Sequence, residues 1–192
     1  MGNLNLMDID MLKEVANIGT GNAATSLSSL VNQRISMNVP TVKMPEFKHL
    51  ADIIGGADAL IAGLLVGISG DVNGIMMYLM TEKSACTLAK EIMGREKNNF
   101  SEFDDIDYSM LTEIGNILTS SYLTALSQLM NYKINQSVPS LSVDMAGAIL
   151  SVPAIQFGRV ADRVLFIEST FKQASDDSSD LSGFFMLIPE VK

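Results

Sequence analysis

The chain has no tryptophan, one cysteine (Cys86) and one histidine (His49). A single cysteine makes no internal disulfide, which fits a reducing compartment. Cys86 lies in an apolar stretch and reads as a small buried hydrophobe. One His and one Cys supply no common zinc-ligand set and no Ser/His/Asp or Cys/His catalytic group, so no metal site is expected. Positive charge is also scarce: 13 Lys and Arg stand against 22 Asp and Glu, a net charge of -9. With no basic stripe, nucleic acid is excluded as a partner, because phosphate contacts need clustered cations. The longest apolar run, 59–68, is too short to span a bilayer. The start, MGNLNLMDID, lacks the basic and apolar segments of a signal peptide, and Leu6 stands where a myristoylation signal after Gly2 needs Ser or Thr. These absences predict a cytoplasmic protein with no membrane insertion.

What is present is a globular composition, 47% hydrophobic and 18% charged over 192 residues, and a repeat. EVANIGTGNAATSLSSL from Glu14 returns as EIGNILTSSYLTALSQL from Glu113, 99 residues on. The same offset carries Asn17 to Asn116, Pro40 to Pro139 and Asp10 to Ser109. A duplication follows, with one copy over about 1–98 and the other over about 99–192. Each half alone would have a thin core, so a single domain is expected over 1–192, and the internal pairing makes a monomer the expected state.

Periodicity predicts a helix over 7–31 on Leu12, Val15, Ile18, Leu27 and Leu30, and a second over 104–130 on Met110, Leu111, Ile114, Ile117, Leu118, Leu126 and Leu129, with Asn131 as its C-terminal cap. An extended segment follows each, 34–44 and 133–143, and each contains its proline, which fits an edge strand or a strand break. Short helices are expected at 47–54 and 144–150. Strands are expected at 59–68 and 74–80, joined by SGDVNG, and at 160–171 and 183–188, joined by the acidic SDDSSD. A helix over 81–93 ends at Gly94, and the acidic part of REKNNFSEFDDID should cap the helix that follows. The fold class is α+β with pseudo-twofold symmetry: one mostly antiparallel sheet flanked by helices, the two long helices at the surface.

Asp10, Glu14, Asn17 and Gly21 share one helix face, and Ser109, Glu113, Asn116 and Ser120 repeat it. A polar stripe usually marks a solvated face. Solvation alone gives no reason for Glu and Asn to recur at matched places, and Asn is a modest helix former. The spacing, Asp or Ser, three residues, Glu, two residues, Asn, twenty-two residues, Pro, is met twice: by Asp10, Glu14, Asn17 and Pro40, and by Ser109, Glu113, Asn116 and Pro139. In this the chain resembles the CheC family of bacterial chemotaxis, whose members remove the phosphoryl group from phosphorylated CheY. The resemblance covers essentially the whole chain. It is weaker to CheX proteins, for which one intact signature is expected; FliY of the flagellar switch also resembles this chain, but is expected to carry a further C-terminal switch domain for which residues up to Lys192 leave no room.

The resemblance implies hydrolysis of an aspartyl phosphate on a CheY-type response regulator. The regulator brings the Mg2+, and this chain needs no cofactor of its own. Asn17 and Asn116 would place the attacking water, and Glu14 and Glu113 would pair with the regulator's active-site lysine; general-base catalysis by the glutamates is the lesser alternative. Pro40 and Pro139 read as structural. The Asp10/Ser109 difference implies two sites of unequal strength. A non-enzymatic adaptor that binds the receptor deamidase CheD is the main rival, with the short helix beginning near Asp144 (DMAGAIL) as the docking element. Retention of both Glu/Asn pairs points to an enzyme. A flagellar switch component is a third reading. GTGNAA at 19–24 spells a dinucleotide-binding variant, but a helix runs through it where a strand and turn are needed, so the glycines read as points of close backbone approach.

Overall fold

The computed structural model describes residues 6–157, 164–173 and 181–190. The elements run α1 (Leu6–Val31), β1 (Ile35–Met37), β2 (Thr41–Lys43), α2 (Leu50–Ile54), β3 (Leu60–Gly70), β4 (Gly74–Thr81), α3 (Glu82–Met93), α4 (Asp105–Met130), β5 (Ile134–Gln136), β6 (Ser140–Met145), α5 (Ala146–Phe157), β7 (Leu165–Gln173) and β8 (Leu181–Pro189). The fold is α+β, and every strand pairing among the described residues is antiparallel.

Strand order across the sheet is β1-β7-β8-β4-β3-β5, with β2 also on β7 and β6 also on β3. The order reads the same from either end once β1 and β2 are matched with β5 and β6, β3 with β7, and β4 with β8. Each half lends its first two strands to the other half: Ile35 sits opposite Gln173, and Gln136 opposite Ile68. β4 and β8 form the seam, from Gly74 opposite Pro189 to Met80 opposite Gly183.

Both faces of the sheet are covered, which is why β4 is apolar throughout rather than alternating. Met76, Tyr78 and Met80 face the layer of α1, α3 and α4, where Cys86 is also buried. Ile75, Met77 and Leu79 face the opposite side with Leu50, Ile54, Ile149 and Leu150 of the shorter helices. The Leu30 and Leu129 side chains are exposed (49% and 41%), so the last turns of both long helices overhang the core that their spacing predicted they would enter.

The prolines explain the split edge strands. The predicted extended segments are each cut in two, β1 from β2 at 38–40 and β5 from β6 at 137–139, because a proline has no N–H for the ladder. The residue two before each proline pins the break: Asn38 N donates to Thr170 O (2.9 Å), and Ser137 N donates to Gly67 O (2.9 Å). Asn32 and Asn131 close the long helices in left-handed conformation, with φ of 51° and 53°.

Two expectations need correction. Asp144 does not start a helix. It lies in β6 opposite Ile61, its Oδ1 accepting from Met145 N at 2.7 Å, because pairing with β3 keeps the backbone extended through Met145. The helix starts at Ala146 and runs past 150 to Phe157, through Pro153. The first residues of the strand predicted at 160–171, up to 163, and the SDDSSD segment lie outside the described residues.

Candidate active site

α1 and α4 pack against each other in opposite directions. Val15 clusters with Ala125 and Leu126, Gly19 lies over Tyr122, and Asn22 and Thr25 share a groove with Asn116 and Ser120. A Cβ on Gly19 would come within 2.8 Å of the Tyr122 ring and 3.1 Å of its Cα, so the crossing demands glycine there. Gly21 has open space around it, so only the first of the two glycines marks a close approach. In α4 it is Gly115 that lies close, with a Cβ placed 3.1 Å from Leu64 of β3.

The Tyr122 hydroxyl shares hydrogen bonds of 2.7 Å with Thr20 of α1 and Ser169 of β7, all three side chains being buried. Burial pushes the Tyr122 phenol up from its ordinary pKa, so the hydroxyl stays protonated. Tyr122→Phe leaves two buried hydroxyls without that partner, and we expect a loss of about 1–3 kcal/mol. Urea unfolding with an unchanged slope checks this; a loss below a few tenths would mean that the hydroxyls re-pair.

On this frame the sequence-predicted residues stand as follows. Asp10, Glu14, Asn17 and Gly21 are all exposed on α1, while Val15 and Ala16 between them are buried. Asp10 is bridged to Lys13 at 3.2 Å, a solvated contact. No side-chain hydrogen bond or ion pair among the described residues engages Glu14, Asn17 or Glu113. Ser109 and Glu113 line an open groove with Pro139, Ser140, Leu141 and Ser142. Asn116 is half-buried in the groove between α1 and α4, and its Oδ1 accepts from Gln136 Nε2 at 3.2 Å. Gln136 Nε2 also donates to Ser120 Oγ at 2.7 Å. The two Glu/Asn pairs are set apart along the helix pair by about ten residues, ~15 Å at the helical rise.

The start of α4 is fixed firmly. Asp104 caps it, accepting from Ile106 N and Asp107 N, and Asp107 returns the bond to Asp104 N, a capping box. The Arg95 guanidinium, hydrogen-bonded to Asp104, holds that carboxyl well below the usual carboxylate range, so the cap stays ionised well into acid.

Sequence reasoning passed over Gln136, although the 99-residue offset that found the repeat pairs it with Met37. It also passed over two valines at matched places before the prolines, Val39 and Val138, which are 83% and 88% exposed.

The sequence matches the CheC-like family over residues 7–44 and 107–143. It is 34% identical to the CheY-P phosphatase CheC of Bacillus subtilis over 181 residues, 93% of this chain and 87% of that one. The chain belongs to the CheC-like family. The two matched stretches of this CheC-like chain hold both Glu/Asn pairs and both prolines. Among solved structures it resembles Thermotoga maritima FliY, with a TM-score of 0.75 at 24% identity over 97% of this chain and 92% of that one. It also resembles a chain of the CheX–CheY–BeF3–Mg2+ complex of Borrelia burgdorferi, with a TM-score of 0.51 at 17% identity over 90% and 97%. At those identities the likeness is one of fold. Among the described residues no helix is long and apolar enough to cross a membrane, and no group of three or more His, Cys, Asp or Glu is gathered as for a metal ion.

Proposed function

We propose that this CheC-like chain is a cytoplasmic, monomeric phosphatase, one domain built of two copies, that hydrolyses the aspartyl phosphate of a CheY-type response regulator. The observation that carries the reading is the pair of adjacent helices that each carry Glu and Asn three residues apart, Glu14, Asn17 and Glu113 exposed and Asn116 half-buried in the open groove between the helices, with neither glutamate engaged by a neighbour among the described residues. The name of the B. subtilis relative supports it.

The chemistry asks little of this protein. A water oxygen bonds to phosphorus as the acyl P–O bond breaks, giving inorganic phosphate and the free aspartate, with the water's proton passing to phosphate or solvent. The regulator supplies Mg2+ and the carboxylate leaving group. Asn17 or Asn116 supplies an amide that both donates and accepts, which holds the water in line. Glu14 or Glu113 pairs with a regulator lysine and seats the helix. The test is phosphate loss from a phosphorylated CheY-type regulator in Mg2+. Acceleration by the wild type is expected, and decay at the spontaneous rate with every such regulator tried would sink the reading.

Val39 and Val138 would meet the regulator beside each site. Val138→Asp together with Val39→Asp is expected to raise KM about tenfold, the scale of one buried valine, and to leave kcat unchanged. A fall in kcat alone would remove them from the contact surface.

A second reading, an adaptor for the deamidase CheD, rests on the exposed Met145, Val152 and Ile155 (46%, 39% and 79%) around α5. These offer an apolar surface close to the predicted docking segment, with Asp144 at its edge on the end of β6. CheD binding that is lost in Ile155→Asp, with phosphatase activity kept, would establish that role beside the first.

A further inference from the structure

The geometry points to Gln136 as a positioning residue that fixes the Asn116 amide, leaving the second site preorganised and the first loose. The inference rests on the phosphatase reading for its consequence in rate, but not for the clamp itself.

The terminal torsion of asparagine is broad and roughly two-fold, so an unheld amide samples both orientations and exchanges its oxygen with its nitrogen. A side chain that must present a donor and an acceptor to one water gains from having that torsion fixed. At Asn116 it is fixed. Gln136 has two Nε2 hydrogens, and both are used, one on Asn116 Oδ1 at 3.2 Å and one on Ser120 Oγ at 2.7 Å. Asn116 and Ser120 are one turn apart on α4, so a single glutamine amide ties two residues of the same polar stripe. Oδ1 keeps a second lone pair and Nδ2 keeps both hydrogens for water.

The first half lacks both parts. At the same offset Ser120 becomes Gly21, which has no side chain, and Gln136 becomes Met37, which has no N–H to donate. The difference extends to packing: Met37 is half-buried against the core beneath α1, whereas Gln136 is exposed. The Asn17 side chain has no hydrogen-bond partner among the described residues, so nothing among them selects one amide orientation. Within one molecule the two Glu/Asn pairs therefore offer a direct comparison of a held amide with a free one.

The test uses the full chain and two readouts. Side-chain amide 15N relaxation should give Asn116 an order parameter near that of rigid backbone and Asn17 a much lower one. Gln136→Met should bring Asn116 down to the Asn17 value. Equal order for the two amides in the wild type overturns the clamp, whatever any regulator assay gives. In an Asn17→Ala background, where only the second site works, Gln136→Met and the acceptor-only Gln136→Glu should each lower kcat about fivefold, the scale of one ordinary hydrogen bond, with KM within twofold. Unchanged kcat in both variants, or a rise in KM alone, overturns the positioning role. Failure of the wild type to dephosphorylate any regulator would sink the phosphatase reading instead, and the relaxation measurement would still decide the clamp.

Discussion

Asn17→Ala combined with Asn116→Ala should return phosphate loss from the regulator to its spontaneous rate, while the folded protein still binds it. Alanine leaves the helices intact, being the better helix former, so stability is expected to hold or rise slightly. Under the phosphatase reading, each substitution removes an amide proposed to hold the attacking water by donor and acceptor. Misplacing a reactant by ~1 Å costs roughly 10²-fold in rate, and loss of its holder should cost at least that at each site. The partner change, Glu14→Ala with Glu113→Ala, acts differently if the glutamates seat the helix: KM rises and activity returns at high regulator concentration. Stopped-flow decay of a phosphorylated regulator over a range of protein concentrations separates the two patterns. A kcat that survives loss of both asparagines would move the chemistry to the glutamates and favour a general base.

The second large effect is structural. Asp107 is fully buried, with Arg95 Nη1 at 2.9 Å from one oxygen and Lys97 Nζ at 3.1 Å from the other. The Arg95 contact is ionic only, because Oδ1 lacks hydrogen-bond geometry to any group, while Oδ2 accepts from Asp104 N at 2.9 Å. Asp107→Ala deletes the anion that both cations and the helix N-terminus share; Arg95 keeps Asp104, and Lys97, 14% exposed, keeps only the Glu102 carbonyl as a partner among the described residues. Breaking such a buried group by removing one partner costs about 3–5 kcal/mol. Chemical denaturation should show it directly, and a loss under 1 kcal/mol would mean that water replaces the carboxylate. Because Ser109 and Glu113 follow within two turns, the second site should lose activity in this variant before the first does.

The parts of this molecule that sequence makes legible are the local ones. The limits of the two long helices and of α3, the Gly94 stop and the two proline breaks follow from residues acting on their own backbone, and lie close to where spacing places them, whereas α5 starts later and runs further than its sequence suggested. Glu14 with Asn17, and Glu113 with Asn116, are legible because three residues on a helix span one face. Strand partners are another matter: nothing within 35–37 says that it will pair with 171–173 rather than with a neighbour in its own half. Asp144 was misplaced for the same reason, since its extended backbone is imposed by β3 and not by its own sequence. Leu30 and Leu129 have helical spacing but extend past the sheet they would cover. The Gln136–Asn116 contact spans 20 residues from strand to helix, and only the offset to Met37 hints at it.

The exchange of edge strands between halves has a consequence for how the chain is made. As residues emerge from the ribosome, the β3–β4 hairpin forms early, but β1 and β2 wait for β7, more than a hundred residues later, and the flank of β4 waits for β8. Contacts of such long range close slowly, and until they close two ladder edges stay bare. The nascent first half therefore exposes those edges, and β8, which follows β7 in the chain, is the strand that closes the centre. Between translating Gly74 and translating Pro189, the β4 edge at the centre of the sheet has no ladder partner to close it.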